Sequence, residues 1–452
     1  MRQRLITFAV FGLVLVALGE WGMRNGKFAG LDRTWLDFCV GNAGDRIKDP
    51  ALTVIRIDDG YEPLRISGDE NVPNDGTLSR LDYATILAFV AKFEPRSVAF
   101  LPTPSFDENI ILNKTDIAPL KDAAMKLPKL LVASTVSNDG EQAKEAAPLA
   151  YPALKVEGDP SAILTFTRTV RYPDPQILAN GVPAFRTLES ARDLVSGGVL
   201  RIPLVAKRGD QVVASIVLAA VANHAGVALD QVLVKLDDGR PRVRISEALE
   251  VPIAADGTFL VPSRSGLGAA MKGVARDAEG KPREVEHLTS LTVDELAYTG
   301  EANDEVAKRI LASFQSRFDS LKKKNLVLIG FDRTADRRIA TETGETLSET
   351  NLIARAIATI QSGRHIHWWP SWARWFAVAL VGGLAAILFR LPRAKFIPAT
   401  LVALLAFFAV KVLVFSATLA WTPPFAVMSL FALILVIGLI VPGAAEKSTP
   451  KA

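Results

Sequence analysis

Polar side chains that could hold a ligand or move a proton stand directly after four apolar, strand-like runs of this sequence. These residues are Asp58 and Asp59 after 52–57, Thr103 after 97–101, Ser134 after 130–133 and Asp332 after 325–330. Paired carboxylates can act as acid and base, and carboxylates with hydroxyls can hold a polar ligand. No glycine-rich phosphate loop with a lysine and no activated nucleophile or oxyanion motif accompanies them. Helix capping and turn formation are the commoner roles of such residues, and ligand binding is the functional hypothesis set against them.

The first part of the chain alternates between strand and helix patterns. The predicted order is strand 52–57, helix 81–93, strand 97–101, helix 119–126 and strand 130–133. Alternation at this spacing predicts an α/β domain with a mainly parallel sheet flanked by helices.

The run 325–330 is the most strongly apolar strand candidate, and a helix is predicted over 350–361. Such a run is predicted to be a central strand, buried on both faces. The carboxyl ends of parallel strands share one edge of a sheet, so Asp58, Asp59 and Asp332 are predicted to converge there.

The middle of the chain is less regular. Strand-like runs flank the turn 237–241 and predict a hairpin, whereas 266–286 is rich in glycine and charge and is predicted to be an exposed loop. Residues 304–321 have the apolar spacing of an amphipathic helix.

Three apolar runs near the end of the chain, at 372–389, 396–421 and 425–441, each approach the length needed to cross a hydrocarbon core of about 30 Å. The linker 390–395 holds three cations whereas Thr422-Pro423-Pro424 holds no charge, so the first linker is predicted to be cytoplasmic.

A shorter apolar run, 5–18, follows the basic Met1-Arg2-Gln3-Arg4. It is predicted to be a retained anchor, with a cleaved signal peptide as the alternative. One N-terminal and three C-terminal transmembrane helices place both termini in the cytoplasm and a large domain outside it. The predicted domains are a signal-anchor helix at 1–24, an external domain at 25–367, a three-helix transmembrane region at 368–441 and a short cytoplasmic tail at 442–452.

Two single residues stand out by their chemistry. Lys411 lies inside a predicted span, where a cation is expected to be functional and to have a polar partner in the bundle, with snorkelling to the interface as the alternative.

Cys39 is the only cysteine, so the chain has no intramolecular disulfide, which favours a bacterial envelope protein. Cys39 is predicted to be a small buried residue, and a bond between protomers is the alternative.

Composition excludes several partners. The net charge of the 452 residues is +4, and much of the excess lies at membrane flanks and in Lys322-Lys323-Lys324, so no nucleic-acid surface is predicted. His365 and His367 stand beside tryptophans and are predicted to belong to an interfacial aromatic belt rather than a metal site. No cofactor is predicted.

Several motifs in order resemble those of one family, the type-two CHASE domain, an extracellular sensory domain associated with cyclases and histidine kinases. The motifs are Leu36-Asp37-Phe38, Val54-Ile55-Arg56-Ile57-Asp58-Asp59, Glu94-Pro95-Arg96-Ser97-Val98-Ala99-Phe100, Gly198-Val199-Leu200-Arg201-Ile202-Pro203-Leu204, Ala255-Asp256-Gly257 and Leu326-Val327-Leu328-Ile329-Gly330. The resemblance spans nearly the whole chain and implies a sensory role. Family members usually continue into a cytoplasmic cyclase or kinase, whereas eleven residues follow Val441 here.

The sequence therefore predicts a non-enzymatic sensor or scaffold in the bacterial inner membrane, with its large domain extracytoplasmic. Its predicted partners are the lipid bilayer, an external ligand or protein, a separately encoded kinase or cyclase, and further copies of the chain. The alternative is an envelope enzyme with an acidic cleft at Asp58 and Asp59. A transporter is disfavoured because four spans with one charge offer a poor substrate path.

Overall fold

The computed structural model describes the chain in segments. They are residues 2–24, 34–36, 38–39, 51–62, 78–103, 118–137, 149–175, 177–188, 201–236, 241–261, 272–276, 282–286, 289–297, 325–336, 338–340, 346–363, 365–369, 371–422 and 424–441. Two compact units emerge, a helical unit of Met1–Gly44 with Ile366–Ala452 and a sheet unit of Asp45–His365. The predicted helix 304–321 and tail 442–452 lie outside the described residues.

The sheet unit contains most of the strands. In chain order they are β1 Leu52–Ile57, β2 Ser97–Phe100, β3 Leu130–Ser137, β4 Lys155–Glu157, β5 Arg168–Arg171, β6 Gly181–Leu188, β7 Arg201–Pro203, β8 Val205–Arg208, β9 Gln211–Ala214, β10 Leu233–Lys235, β11 Arg242–Ser246, β12 Leu249–Pro252, β13 Thr258–Leu260, β14 Lys272–Arg276, β15 Pro282–Glu286, β16 Thr289–Thr292, β17 Leu326–Phe331, β18 Arg338–Ala340 and β19 Thr346–Ser348.

A seven-stranded sheet forms the centre of this unit. Its order is β16, β1, β17, β2 and β3, and β3 also pairs with β5 and β6. All pairs are parallel except that of β3 with β5. The prediction of a mainly parallel sheet is confirmed, and so is the central place of β17.

Helices cover both faces of the sheet. Helix α1, Arg2–Arg24, belongs to the helical unit. The helices of the sheet unit are, in chain order, α2 Arg80–Ala91, α3 Ala118–Met125, α4 Ile216–Ala225, α5 Val293–Ala297 and α6 Glu349–Ser362. Alternate residues of each strand point to opposite faces. In β17, Val327 and Ile329 pack with α2, α3 and α5, whereas Leu326 and Leu328 pack with α4 and α6. The predicted flanking helices are therefore present on both faces.

Small antiparallel pairs surround the main sheet. Strands β10 and β11 form the predicted hairpin and continue into a four-stranded sheet with β12 and β4. The stretch 266–286, expected to be an exposed loop, contains the hairpin of β14 and β15. That expectation was wrong because cross-strand backbone bonds tolerate charged and glycine residues in a short ribbon.

The helical unit adds three longer helices, α7 Ser371–Leu388, α8 Arg393–Thr418 and α9 Phe425–Ile440, and two short strands, β20 His367–Trp368 and β21 Ala420–Trp421. Among the described residues one helix, Ala394–Thr418, is long and apolar enough to cross a membrane. The other predicted spans form shorter apolar helices. α9, with 16 residues, is about 24 Å long at about 1.5 Å per residue.

Within the helical unit, α1 runs antiparallel to α9. The Arg4 guanidinium donates to the carbonyls of Gly438 and Val441 at 3.3 and 2.8 Å, at the end of α9. Towards the other end of α1, Gly19 lies close to Phe425, the first residue of α9. A buried arginine thus satisfies carbonyls that have no partner inside their own helix.

Aromatic rings join the remaining helix ends. Phe389, just after α7, contacts Phe8 of α1 and Phe396 of α8 at centroid distances of 6.2 and 6.1 Å. A methyl group at Gly438 would approach the Phe396 ring to 2.1 Å, so α8 and α9 meet closely there. The start of α1, the end of α7, the start of α8 and the end of α9 therefore lie at one end of an alternating bundle.

Candidate functional site

The carboxyl edge of the parallel sheet brings three of the predicted site residues together. Ile57 pairs with Phe331 across β1 and β17, so Asp58 and Asp332 leave adjacent strands at the same level. Adjacent strands are about 4.8 Å apart. Thr334, in the loop after β17, donates from its backbone nitrogen and its hydroxyl to Asp59 at 2.9 and 2.5 Å. The predicted convergence of these carboxylates is thus present.

Asp332 lies on the face of the sheet that α6 covers. Its carboxylate accepts from Arg56 of β1 at 3.5 Å and from the Asn351 side chain in the first turn of α6 at 3.3 Å. The Asp332 side chain is only 8% exposed. Asp332 therefore joins β17 to β1 and to the start of α6, which makes it a positioning residue of this edge.

The edge is acidic on the side of β16 and β1. Asp58 accepts a bond from the Gly60 backbone at 3.2 Å, and Gly60 lies between the carboxylates of Asp58 and Asp294. Asp294 stands in the first turn of α5, just after β16. Burial raises the pKa of the Asp294 carboxyl, and the charges of Asp58 and Glu62 raise it further.

Replacing Asp58 with asparagine is expected to bring the pKa of Asp294 down towards its ordinary value, because one of two like charges is removed. A raised folded-state pKa means that stability falls as pH rises from the unfolded value through the folded value. The variant should lose less stability over that window. Carboxyl carbon NMR titration of Asp294 measures the shift. Asp59→Asn is the matched control, and an unchanged Asp294 titration in Asp58→Asn would refute the coupling.

The edge is basic on the side of β2, β3 and β6. Arg186 of β6 donates to the Leu101 carbonyl at 3.2 Å, and its Nε lies 3.2 Å from Glu349 of α6. Arg333, after β17, stacks over the Phe331 ring at 4.2 Å and lies 3.7 Å from Asp336. Arginines that each face a carboxylate thus lie on this side of β17, which we name the basic half, and Asp58 and Asp294 lie on the other side.

Tyr83 lies close to this basic half. It stands in the first turn of α2 and packs edge-on against Phe100 of β2, with ring centroids 5.5 Å apart. Burial raises the pKa of the Tyr83 phenol well above its ordinary range, while the positive charges of Arg333, Arg186 and Arg171 act in the opposite direction. The phenol is therefore a neutral donor or acceptor at neutral pH.

The two predicted hydroxyl residues lie in different surroundings. Thr103 follows β2 as expected and donates to the Ala133 carbonyl at 3.1 Å. Ser134 was predicted to lie beyond its strand, but β3 continues to Ser137 and buries it fully. The Ser134 hydroxyl bonds to the Tyr151 hydroxyl at 2.7 Å and to the Ala184 carbonyl at 3.2 Å. Ser134 is a satisfied core residue and does not belong to this edge.

Sequence reasoning missed several residues of the edge, namely Arg56, Tyr83, Arg186, Asp294, Arg333, Thr334 and Asn351. One signal was available for Arg56, the only charged residue of an otherwise apolar strand. The others come from separate segments, and only the fold brings them together.

Lys411 forms a second candidate site, inside the helical unit. Its ammonium donates to the Thr422 carbonyl at 3.2 Å and lies over the rings of Trp35 and Phe408, at 5.4 and 5.9 Å from their centroids. The Trp35 and Phe408 rings contact each other edge-on at 4.9 Å. The expected polar partner is therefore a backbone carbonyl with two aromatic rings, and the Lys411 side chain is 5% exposed.

The segment after α8 receives several hydrogen bonds at successive carbonyls. The backbone nitrogens of His367 and Trp369 donate to Leu419 and Trp421 at 3.1 and 2.9 Å, and the Trp369 indole donates to Ala420 at 3.0 Å. The Lys411 ammonium donates to the next carbonyl, that of Thr422. Strand β20, just before α7, and Lys411 thus hold the loop between α8 and α9 together.

Two further observations bound the site. Among the described residues no group of three or more histidine, cysteine, aspartate or glutamate side chains could hold a metal ion. An open depression lies at the opposite, amino edge of the sheet, and its lining includes Glu94, Lys126, Lys129 and Asn180. We favour the carboxyl edge as the site, because open parallel sheets bind ligands beyond the carboxyl ends of their strands.

No known protein family, no curated protein and no solved structure shows significant similarity to this chain.

Proposed function

We propose that this protein is a membrane-anchored extracytoplasmic sensor or scaffold, related to the type-two CHASE domains. In this proposal the sheet unit responds to an external ligand or protein, and the helices transmit that state to a separately encoded kinase or cyclase. Further copies of the chain and the lipid bilayer are its other partners. The membrane is the inner membrane of a bacterium, and both termini are cytoplasmic.

The outward surface of the helical unit supports membrane insertion of all four helices. Large apolar side chains between 64% and 76% exposed occur on all four helices; they include Leu13, Trp372, Phe376, Leu405, Leu413 and Ile440. Soluble proteins rarely expose apolar surface of this extent. The alternating helix directions also agree with a cytoplasmic Arg4 and a cytoplasmic 390–395 linker. We propose four spans on these grounds.

Chain continuity carries the sensory part of the proposal. Strand β17 ends at Phe331 beside Asp58, and α6 begins 18 residues later with Asn351 bonded to Asp332. α6 ends at Ser362, and five residues later β20 begins and bonds to the α8–α9 loop. A shift of α6 would therefore act on α7 through the chain and on the α8–α9 loop through hydrogen bonds.

The enzyme alternative has less support. Both carboxylate oxygens of Asp59 accept from Thr334, and Asp58 accepts from the turn that follows it. Carboxylates committed to loop geometry in this way are poor candidates for proton transfer.

The proposed topology predicts where a reporter works. A reporter active only in the cytoplasm should function when fused after Ala452 and should fail when inserted between β14 and β15. A periplasmic reporter at the same two positions is the control and should give the reverse pattern. Cytoplasmic activity at the inserted position would refute the extracytoplasmic sheet unit and, with it, the sensor.

A further inference from the structure

Three arginines converge on the basic half of the sheet edge from separate parts of the chain. We name Arg171, Arg186 and Arg333 the arginine cluster. Arg171 ends β5, Arg186 lies in β6 and Arg333 follows β17. Arg171 pairs with Thr135 near the end of β3, Arg186 donates to the Leu101 carbonyl just after β2, and Arg333 stacks over Phe331 at the end of β17. The charges of all three also act on the pKa of the buried Tyr83.

Two of the three guanidiniums face a carboxylate. Glu349 lies 3.2 Å from the Arg186 Nε and Asp336 lies 3.7 Å from the Arg333 Nε, so three guanidiniums stand against these two carboxylates. A guanidinium has more donors than one carboxylate and one carbonyl use, and its planar fork suits two oxygens of one group. Nearby, Arg80 and Asp174 pair at 2.9 Å and fix the start of α2 beside β5.

The order of the connections makes this place a topological switch point of the sheet. The chain after β1 and β2 leads to α2 and α3 on one face, whereas the chain after β17, which lies between them, leads to α6 on the other. Open parallel sheets generally bind ligands beyond the strand ends at a position where neighbouring strands send their helices to opposite faces. Arg333 follows β17 at this switch point, and Leu101, whose carbonyl accepts from Arg186, follows the neighbouring strand β2.

We propose that the arginine cluster binds a small, multiply charged oxyanion, a carboxylate or phosphate compound, at the carboxyl end of β17. The proposal rests on the sensor function proposed above, and it names the chemical class of the external ligand. The acidic residues on the other side of β17, Asp58, Asp59 and Asp294, confine the anion to the side of β2.

Calorimetric titration of the full-length protein in phosphatidylcholine nanodiscs tests the proposal. The probes are succinate and inorganic phosphate, with chloride at equal ionic strength as the control. Saturable binding of succinate alone would support a carboxylate site, and saturable binding of phosphate alone would support a phosphate site. Binding of both would support a site that recognises negative charge in general. Absence of saturable binding for both probes would overturn the proposal.

Variants locate the bound anion. Arg186→Gln and Arg333→Gln are each expected to weaken binding by about tenfold or more, the effect of losing one charge-assisted contact. The Arg171 side chain is exposed and has no ion pair with the described residues. Arg171→Gln should therefore weaken binding without disturbing the fold. The matched control is Arg96→Gln, an equal charge change at the opposite edge of the sheet, with unchanged affinity. Equal affinity in all four variants would also overturn the proposal. Binding without any response of the helical unit would instead refute the sensor function.

Discussion

Replacing Gly330 with alanine is expected to lower the free energy for opening the β17–α6 contact by about 3 kcal/mol. The added methyl would meet the Thr350 hydroxyl oxygen at 2.3 Å, the Thr350 methyl at 2.8 Å and Leu101 at 3.0 Å. That hydroxyl donates to the Phe331 carbonyl at 2.6 Å, so α6 must either move away or give up a buried hydrogen bond. Hydrogen exchange of α6 amides, followed by mass spectrometry, measures the loss.

Two further variants make this test specific. Thr350→Ala in the Gly330→Ala background should recover part of the lost free energy, because the clashing hydroxyl is gone. Gly382→Ala, in α7, is the control, since a methyl there meets nothing within 4 Å and should change little. Equal protection of α6 in wild type and Gly330→Ala would contradict the close contact between β17 and α6.

Replacing Lys411 with leucine is expected to accelerate chemical labelling of Cys39 by about tenfold. Cys39 is buried, and burial raises the pKa of its thiol to about 12 although the Lys411 charge acts in the opposite direction. The closed state is therefore unreactive, and labelling in the wild type is slow because it requires an opened state in which the thiol is solvated. The Lys411 ammonium holds the Trp35 ring, four residues before Cys39. A desolvated cation–π contact is worth about 1–2 kcal/mol, and about 1.4 kcal/mol corresponds to a tenfold rate of opening.

The single cysteine makes the labelling experiment direct, because the chain has no other thiol. Lys411→Arg keeps a cation with several donors and should label nearly as slowly as the wild type. Trp35→Leu should label as fast as Lys411→Leu, since it removes the other partner of the same contact. Slow labelling in both leucine variants would reduce Lys411 to a residue that merely snorkels to the interface.

The sequence was most informative where one geometric rule applied. Parallel strands end at one edge, so the adjacent positions of Asp58 and Asp332 followed from recognising two apolar strands. The prediction for Ser134 was wrong because β3 continues through small polar residues inside the core. The hydrogen-bond partner of Ser134, Tyr151, comes from a separate segment. Nothing local to Ser134 could distinguish a strand end from a satisfied buried hydroxyl.

The arginine cluster could not be predicted because its members lie far apart in the chain and only β5, β6 and β17 bring them to one edge. Lys411 is an intermediate case. Its position inside an apolar run marked it as unusual, and its acceptor, Thr422, lies only eleven residues away. Trp35, the other partner of Lys411, belongs to the segment after α1. The two residues are so far apart in the sequence that no pattern indicated their contact. The lengths of the helices in the helical unit also depended on where the chain turns, as at Leu419, whose φ is +56°.

The central claim is that ligand binding in the sheet unit changes the helical unit, and tryptophan emission tests it most directly. All seven tryptophans, from Trp21 to Trp421, lie in the helical unit, so the sheet unit contributes no tryptophan signal. Emission of the full-length protein in nanodiscs is recorded during titration with whichever of succinate and phosphate binds by calorimetry. We expect the emission to change along the calorimetric binding curve, and Lys411→Leu to suppress this change while affinity is retained. Saturable binding with constant emission would contradict coupling between the sheet unit and the helical unit.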